Sequence, residues 1–138
     1  MAIKQISVFL ENTIGRLGEV TKPLAKANIN IRAISIADTA DFGILRLIVD
    51  KHDEAIKALN DAGFTTRLSD VLAVEVDDTP GGLAHVMEIF QNHKINIEYL
   101  YASLEGNLGK AVVIFKLGDY NKGLEIVKQN NLKTLEAF

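Results

Sequence analysis

The chain has 138 residues, 48% of them hydrophobic, and a formal net charge of −3 at pH 7. A chain of this length can bury roughly two-thirds of its unfolded surface, so we expect a folded globular protein. Acidic and basic residues are interspersed, which leaves no basic stripe for the phosphates of a nucleic acid. The absence of cysteine excludes disulfides, cysteine nucleophiles and thiolate metal sites.

The same sequence bears on location. No apolar stretch approaches the roughly 18 residues of a membrane-spanning helix. Residues 1–5 lack the apolar core of a signal peptide. We therefore expect a cytoplasmic protein whose partners include neither a membrane nor a nucleic acid.

The first predicted element is a strand, because Val8 and Leu10 alternate with other side chains. The polar turn ENTIG follows it. Leu17, Val20 and Leu24 then recur at the spacing of one helix face, which predicts a helix directly after the turn.

Pro23 lies about two turns inside this predicted helix. A proline there removes a backbone hydrogen bond and costs roughly 3 kcal/mol. The sequence thus predicts a kink or an early end of the helix, unless the helix begins further along the chain.

The following segments complete one structural unit. Two β-rich runs, IRAISIAD and FGILRLIVD, flank a turn and predict a hairpin. A helix with Ala55, Ile56, Leu59 and Ala62 on one face comes next. The run FTTRLS predicts a short last strand, so the order of the unit is βαββαβ.

The second half of the chain repeats the first. A shift of 66 positions makes 11 of the 46 positions from 8 to 53 identical to their counterparts, against about 3 expected from average composition. We expect the shift to continue without a gap through its last identities, which are the pairs Gly43 and Gly109, Ile48 and Ile114, and Asp53 and Asp119.

The fold class predicted from this repeat is α+β, with two tandem ferredoxin-like βαββαβ units. In each unit two helices can cover one face of a four-stranded antiparallel sheet. We place the units at residues 1–69 and 70–138, joined at Ser69-Asp70 without a flexible linker. We expect their sheets to join edge to edge, within the chain or across a homodimer.

The turn before the first helix of each copy is a candidate anion site. Thr13 and Thr79 are candidate N-caps, and Pro80 fits the first helical position. Glycine leaves backbone N–H groups accessible at the positive end of a helix, where a carboxylate is favoured. The same residues also cap helices in proteins that bind nothing there, and duplication copies a structural cap as faithfully as a site.

These segments carry a family resemblance. ENTIGRLGEV and DDTPGGLAHV, each followed by INI, resemble the ACT domain family, whose pattern is a strand, a polar turn with proline and glycine, a leucine, and Asn-Ile opening the second strand. The resemblance covers almost the whole chain. It implies regulatory domains that bind small molecules, most often amino acids, at interfaces between ACT copies.

Carried over position by position, the resemblance implies a ligand site in each copy. Ile14 stands where the family has proline, and Arg16 lies beside the glycine, so we expect the two sites to be unequal. The implied site residues are Asn12, Thr13, Ile14, Gly15, Arg16, Leu17, Asn30 and Ile31 in the first copy, and Asp78, Thr79, Pro80, Gly81, Gly82, Leu83, Asn96 and Ile97 in the second.

Several of these residues have alternative roles. Arg16 fits either a bidentate pair with a ligand carboxylate or a position in solvent. Asn30 and Asn96 fit either ligand contacts or turns in which they bond their own backbone.

The wall of the site is also open to two interpretations. Leu17, Leu83, Tyr99 and Tyr101 could enclose a branched or aromatic amino acid, or they could belong to the core or the sheet surface.

The sequence contains no candidate for catalysis. It has no recognisable nucleophile elbow and no carboxylate pair spaced as a catalytic dyad. His52, His85 and His93 lack the spacing of metal ligands. We expect neither a cofactor nor a metal, and no enzymatic activity.

The predicted function is therefore regulatory. We expect a homodimer that senses a small molecule, an amino acid by the resemblance, and signals to a partner enzyme or regulator. A second class also fits the sequence: a module that assembles with its own copy or a partner enzyme without any ligand.

Overall fold

The computed structural model describes residues 2–38, 41–104 and 108–138. The chain divides into two compact units, one formed by Lys4–Ser69 with Phe138 and the other by Met1–Ile3 with Asp70–Ala137. The helices and strands are β1 (Ile3–Glu11), α1 (Arg16–Lys26), β2 (Ile31–Asp38), β3 (Phe42–Val49), α2 (His52–Asp61), β4 (Thr66–Asp77), α3 (Gly82–Asn92), β5 (Ile97–Ala102), β6 (Lys110–Leu117), α4 (Tyr120–Gln129) and β7 (Thr134–Leu135).

The first unit is a ferredoxin-like βαββαβ unit. Its strand order is β2-β3-β1-β4, and β3 pairs antiparallel with both β1 and β2. Alternate residues of β1 face helices α1 and α2, as the two-residue period of a strand requires. The core between this sheet face and the helices consists of Ile6, Val8, Leu10, Val20, Leu24, Ile29, Leu45, Leu47, Val49, Ala55, Leu59 and Phe64.

The second unit repeats this architecture. Its strand order is β7-β4-β6-β5 with antiparallel pairs. Inside its core the edge of one ring of the pair Phe90 and Phe115 meets the face of the other, with ring centroids 5.2 Å apart. The predicted pair of ferredoxin-like units is confirmed.

The strand β4 is shared between the units. The sequence predicts a last strand in the first copy and a separate first strand in the second. Instead, Thr66–Asp77 forms one uninterrupted strand whose first four residues belong to the first unit. Residues 66–77 contain neither proline nor glycine, so nothing in this stretch interrupts the extended backbone.

The expectation of a gap-free shift is wrong. Ile6 pairs with Leu47 and its counterpart Leu72 pairs with Phe115, so β3 and β6 differ by 68 positions, although β1 and β4 differ by 66. The second copy therefore has two more residues between the paired positions Leu100 and Phe115 than the first has between their counterparts Ile34 and Leu47. Consequently the last three identities of the shift do not join equivalent positions.

Helix α1 begins at Arg16 and continues past Pro23 to Lys26. The predicted early end is therefore wrong. Proline removes a single N–H donor, whereas the Pro23 carbonyl still accepts from the Ala27 amide at 3.0 Å. Leu24 remains buried in the core of the unit and holds this turn against the sheet.

The helices of the described ranges are short. None of them has the length and apolarity to cross a membrane.

Candidate functional site

The glycine turn before the first helix has the same backbone in both units. Gly15 and Gly81 are the N-cap residues of α1 and α3, with φ of 87° and 86°. This left-handed conformation favours glycine because it has no Cβ. The two turns therefore require glycine for their own geometry, whether or not a ligand binds there.

The predicted threonine caps are wrong. Neither helix has a side-chain cap, and the threonines act through their carbonyls: Thr13 O accepts from the Arg16 amide at 3.3 Å, and Thr79 O from the Gly82 amide at 3.0 Å. Pro80 is also not the first helical residue, because it precedes the N-cap. The N-cap is a glycine in the left-handed region, two residues later than the sequence pattern predicts.

Each turn leaves donors at the start of its helix. The i to i−4 hydrogen bonds of α1 and α3 begin with the amides of Glu19 and His85. Among the described residues, no backbone acceptor is found for the amides that precede them in the first turn, Leu83 and Ala84 in the second unit. Such N–H groups and the helix dipole favour an anion.

A cleft of about 510 Å³ opens beside the turn of the second unit. It lies between the end of β4, the start of α3 and the connection from α4 to β7. Its side chains are mainly polar or charged. The lining residues are Glu75, Val76, Asp77, Thr79, Pro80, Gly81, Gly82, His85, Val86, Lys110, Asn130, Asn131, Leu132 and Lys133.

Two ion pairs border this cleft. Lys110 Nζ bonds Asp77 Oδ1, and Lys133 Nζ lies 3.4 Å from Glu75 Oε2. The hydrogen bond from Lys110 lowers the pKa of Asp77 below its ordinary value of 3.8, and the same bond raises the pKa of Lys110. The cleft therefore presents charges of both signs beside free backbone donors.

Gly82 is required by close packing. A Cβ at this position would lie 2.0 Å from the carbonyl oxygen of Asp77. By contrast, a Cβ at Gly81 would have no neighbour within 4 Å. The two adjacent glycines thus serve different purposes: Gly81 provides the positive φ, and Gly82 lets the helix start against the end of β4.

In the first unit, the place of Gly82 is taken by Arg16. Its guanidinium carbon lies 4.7 Å from the centre of the Phe64 ring, and Arg16 Nη1 lies 2.5 Å from Glu19 Oε2. The predicted alternative of an arginine in open solvent is wrong, because its side chain is only 29% exposed and its Nε atom is buried.

The Asn-Ile segments lie at the other end of each unit. Helix α1 separates Asn30 from the glycine turn by 11 helical residues, about 16 Å. Asn30 contacts the start of α2 through its backbone: its amide donates to Asp50 Oδ1 at 3.1 Å. In the second unit the Asn96 carbonyl accepts from the Gly118 amide at 2.9 Å.

The neighbouring isoleucines have a structural role. Ile31 and Ile97 are partly buried and pack on the cores of their own units. Within a single unit, the glycine turn and the Asn-Ile segment are therefore not brought together. The predicted self-bonding of Asn30 and Asn96 is not observed, since neither side-chain amide has a hydrogen bond within the described residues.

The predicted apolar wall does not surround the cleft. Tyr101 is 8% exposed and lies on β5 opposite Ile114, and Tyr99 is half-buried on the same strand. Leu17 and Leu83 are exposed on the first turns of their helices. None of the four lines the cleft, whose apolar lining side chains are instead Val76, Pro80, Val86 and Leu132.

Ten residues of the cleft were missed by the sequence pattern. Five of them lie beside the glycine turn, at the end of β4 and in α3, and the other five come from the start of β6 and from the turn after α4, both remote in sequence from the glycine turn. The available signal is weak: Asn130-Asn131 marks a turn, and Asn131 adopts a φ of 56°. The missed residues are Glu75, Val76, Asp77, His85, Val86, Lys110, Asn130, Asn131, Leu132 and Lys133.

The described residues contain no group of three or more side chains arranged to hold a metal ion. Asp119, at the start of α4, provides a side-chain N-cap by accepting from the Lys122 amide at 3.1 Å.

Comparison with known proteins identifies the architecture. A family model described as an ACT domain pair matches residues 1–137. The crystal structure of protein BT0572 from Bacteroides thetaiotaomicron is 42% identical, with a TM-score of 0.92, and the alignment covers 98% of this chain and 92% of that one. A search of curated proteins found no significant match.

More distant structures share the fold. The ligand-free regulatory subunit of aspartate kinase from Thermus thermophilus is 20% identical, with a TM-score of 0.67 and 91% of each chain covered. The regulatory subunit of aspartate kinase from Thermus flavus is also 20% identical, with a TM-score of 0.60, 91% of this chain and 90% of that one being covered.

Proposed function

The chain belongs to the family of ACT domain pairs, and from this premise we propose that it is a regulatory protein that binds an amino acid at its glycine turns. In this proposal the chain has no catalytic role. Its output is a change in a partner enzyme or regulator. The fold that it shares with regulatory subunits of aspartate kinase is compatible with such a role.

The observation that carries the proposal is the cleft beside Gly81. Its volume of about 510 Å³ lies within the usual range for small-molecule sites, roughly 300–1,000 Å³. The free amides of Leu83 and Ala84 suit the α-carboxylate of an amino acid. Asp77 and Glu75 offer acceptors for its ammonium group.

The cleft also favours one class of side chain. Lys110 and Lys133 already pair with carboxylates, and the remaining lining offers an imidazole, a hydroxyl group and two amide groups beside four apolar side chains. A polar or charged side chain finds hydrogen-bond partners there, whereas a branched or aromatic one does not. We therefore expect a polar amino acid as the ligand.

Regulation follows if a second ACT unit completes the site. A ligand that touches both a glycine turn and an Asn-Ile segment must take them from two different units, because one unit keeps them about 16 Å apart. Such a ligand stabilises one arrangement of the units over others. A partner that recognises this arrangement then senses the ligand.

Calorimetric titration with each of the twenty amino acids tests this proposal. We expect at least one polar amino acid to bind with a dissociation constant in the millimolar range or below. The double variant Gly15→Asp, Gly81→Asp places a carboxylate in both turns and should abolish the heat. Aspartate tolerates the left-handed conformation better than most residues, so circular dichroism should show a folded variant.

The absence of heat from all twenty amino acids at millimolar concentration would contradict the proposal. Equal heats for the wild type and the folded double variant would place the ligand elsewhere.

A second function is favoured by the exposed edge strands. Ile34 and Ile36 on β2 are 39% and 48% exposed, and Leu100 on β5 is 36% exposed. β2 and β5 are the edges of their units, and apolar edges favour pairing with another chain. A ligand-independent assembly module would use these edges for a homodimer or a partner enzyme.

Melting temperature separates the two functions. An assembly module loses stability on dilution and does not respond to amino acids, whereas a sensor is stabilised by its ligand. Sedimentation of the Ile34→Lys, Ile36→Lys variant tests the edge directly, and a homodimer that survives this change would contradict pairing through β2.

A further inference from the structure

We propose that each chain binds a single ligand, in the second unit, because Arg16 occupies the corresponding place in the first unit. The inference rests on the proposed function and specifies which of the two glycine turns performs it. Three observations support it: the equivalence of positions, the contacts of Arg16, and the loss of cationic side chains from the first unit.

The strand registers and turns establish which positions correspond. Gly82 and Arg16 follow the two N-cap glycines directly. Leu132 corresponds to Phe64, because each amide donates at 3.0 Å to the carbonyl of the residue five positions earlier. Gly82 and Leu132 both line the open cleft. Their counterparts, Arg16 and Phe64, contact each other.

Arg16 makes two side-chain contacts within the first unit. The guanidinium stacks on Phe64 at 4.7 Å and pairs with the carboxylate of Glu19, whose counterpart His85 lines the cleft of the second unit. A carboxylate of the protein is thus already bound to the arginine. A ligand carboxylate would therefore gain less from this paired arginine than from an unpaired cation.

The charged lining of the second unit is absent from the first. The registers place Phe42 at the position of Lys110, and Thr65 at that of Lys133. With Glu19 in place of His85, the first turn presents no cation except Arg16 among these equivalent positions. The cleft at Gly81 is therefore bordered by two lysine–carboxylate pairs and an imidazole, whereas the turn at Gly15 has the single pair of Arg16 and Glu19.

This assignment gives Arg16 a positioning role instead of a ligand-binding one. Its side chain lies against Phe64, at the place that corresponds to the cleft of the second unit, whereas the open cleft of the first unit lies elsewhere, between α1 and α2. The chain then responds to ligand through the second unit alone.

Calorimetry on single variants tests the assignment, with the amino acid that gives the largest heat on the wild-type protein as the probe. Gly15→Asp and Gly81→Asp form a matched pair, because the two glycines share the same φ and have no neighbour within 4 Å of a Cβ. We expect Gly81→Asp to weaken binding at least tenfold and Gly15→Asp to change it less than twofold. The wild-type stoichiometry should not exceed one ligand per chain.

Arg16→Ala distinguishes the two roles of the arginine. Because Arg16 has only a structural role in the first unit, its removal should leave the affinity of the cleft beside Gly81 within twofold of the wild-type value. A loss of tenfold or more would instead make Arg16 a ligand clamp and overturn the inference, as would two ligands per chain or a stronger effect of Gly15→Asp than of Gly81→Asp. These results leave the proposed function standing. The absence of binding to the wild type contradicts both.

Discussion

The residue that follows the N-cap glycine differs between the two units: it is Gly82 in the second unit and Arg16 in the first. In the second unit its lack of a Cβ lets the helix approach Asp77, and the cleft beside it stays open. In the first unit an arginine at the same position contacts the core residue Phe64. The difference between glycine and arginine at this one position thus accompanies an open cleft in the second unit and an arginine–phenylalanine contact in the first.

The first prediction concerns Gly82→Ala. Because the new Cβ would lie 2.0 Å from the Asp77 carbonyl oxygen, the start of α3 must shift, which should cost about 1–3 kcal/mol of unfolding free energy. Gly18→Ala is the control, since a Cβ at this early helical position has no neighbour within 4 Å and alanine should stabilise the helix by about 0.5–1 kcal/mol. Urea denaturation measures both, and equal effects would contradict the packing role of Gly82.

The second prediction concerns the carboxyl group of Asp77. Its pKa is lowered chiefly by the hydrogen bond from Lys110, so Lys110→Ala should raise it towards 3.8, the ordinary value. A lowered pKa means that the pair stabilises the fold above pH 3.8 and that this contribution is lost as the pH falls through the folded-state pKa. NMR titration of the carboxyl carbon measures the shift, and an unchanged pKa in the variant would exclude Lys110 as its cause.

Helix ends show how elements depend on particular side chains. In the described part of the chain, α4 has a side-chain N-cap, Asp119. The N-cap residue of its counterpart α2 is Lys51, which makes no side-chain cap hydrogen bond. The helices α1 and α3 depend on a glycine instead. The equivalent helices α2 and α4 therefore form with different N-caps in the two copies.

The third prediction compares the equivalent N-caps of α2 and α4. Asp119→Ala removes the bond to the Lys122 amide and should cost about 1 kcal/mol. Lys51→Ala removes no cap bond of α2, only the exposed hydrogen bond from Lys51 Nζ to the Asn28 carbonyl, and should change stability by less than about 0.5 kcal/mol. Thermal unfolding of both variants checks the difference, and a loss at Lys51 as large as that at Asp119 would show that the carboxylate is not the stabilising group.

The order of elements followed from the sequence, because apolar periodicity, turn residues and duplication all agreed. The apolar positions that defined the helices, such as Val20 and Val86, are buried. Several features of the fold were not predicted. The two-residue insertion in the β5–β6 hairpin leaves no periodic signal. The helix caps are glycines instead of threonines, and a positive φ cannot be seen in a sequence pattern.

Only part of the candidate site could be predicted from the sequence. The glycine turns follow from local residue types, whereas Lys110 and Lys133 reach the cleft through strand pairing and the α4–β7 turn. Long-range placement of this kind requires the fold. The contact of Arg16 with Phe64 could not be predicted from the sequence either, because the two residues are 48 positions apart.

At the scale of the whole molecule, the chain is a duplication whose copies have kept the fold and diverged in chemistry. Each unit has its own core, so each can retain its structure while its turn changes. In our account one unit contributes the ligand cleft, and the other contributes a filled turn and exposed edge residues such as Ile34 and Ile36. Regulation then depends on the ligand state of the second unit.

The most direct test of this account is a crystal structure grown with the amino acid that gives the largest calorimetric heat. The account predicts electron density for the amino acid beside Gly81, with its carboxylate within hydrogen-bond distance of the Leu83 or Ala84 amide, and Arg16 still stacked on Phe64. Density at the Gly15 turn with Arg16 displaced, or an empty cleft beside Gly81 in crystals that contain the bound amino acid elsewhere, would contradict it.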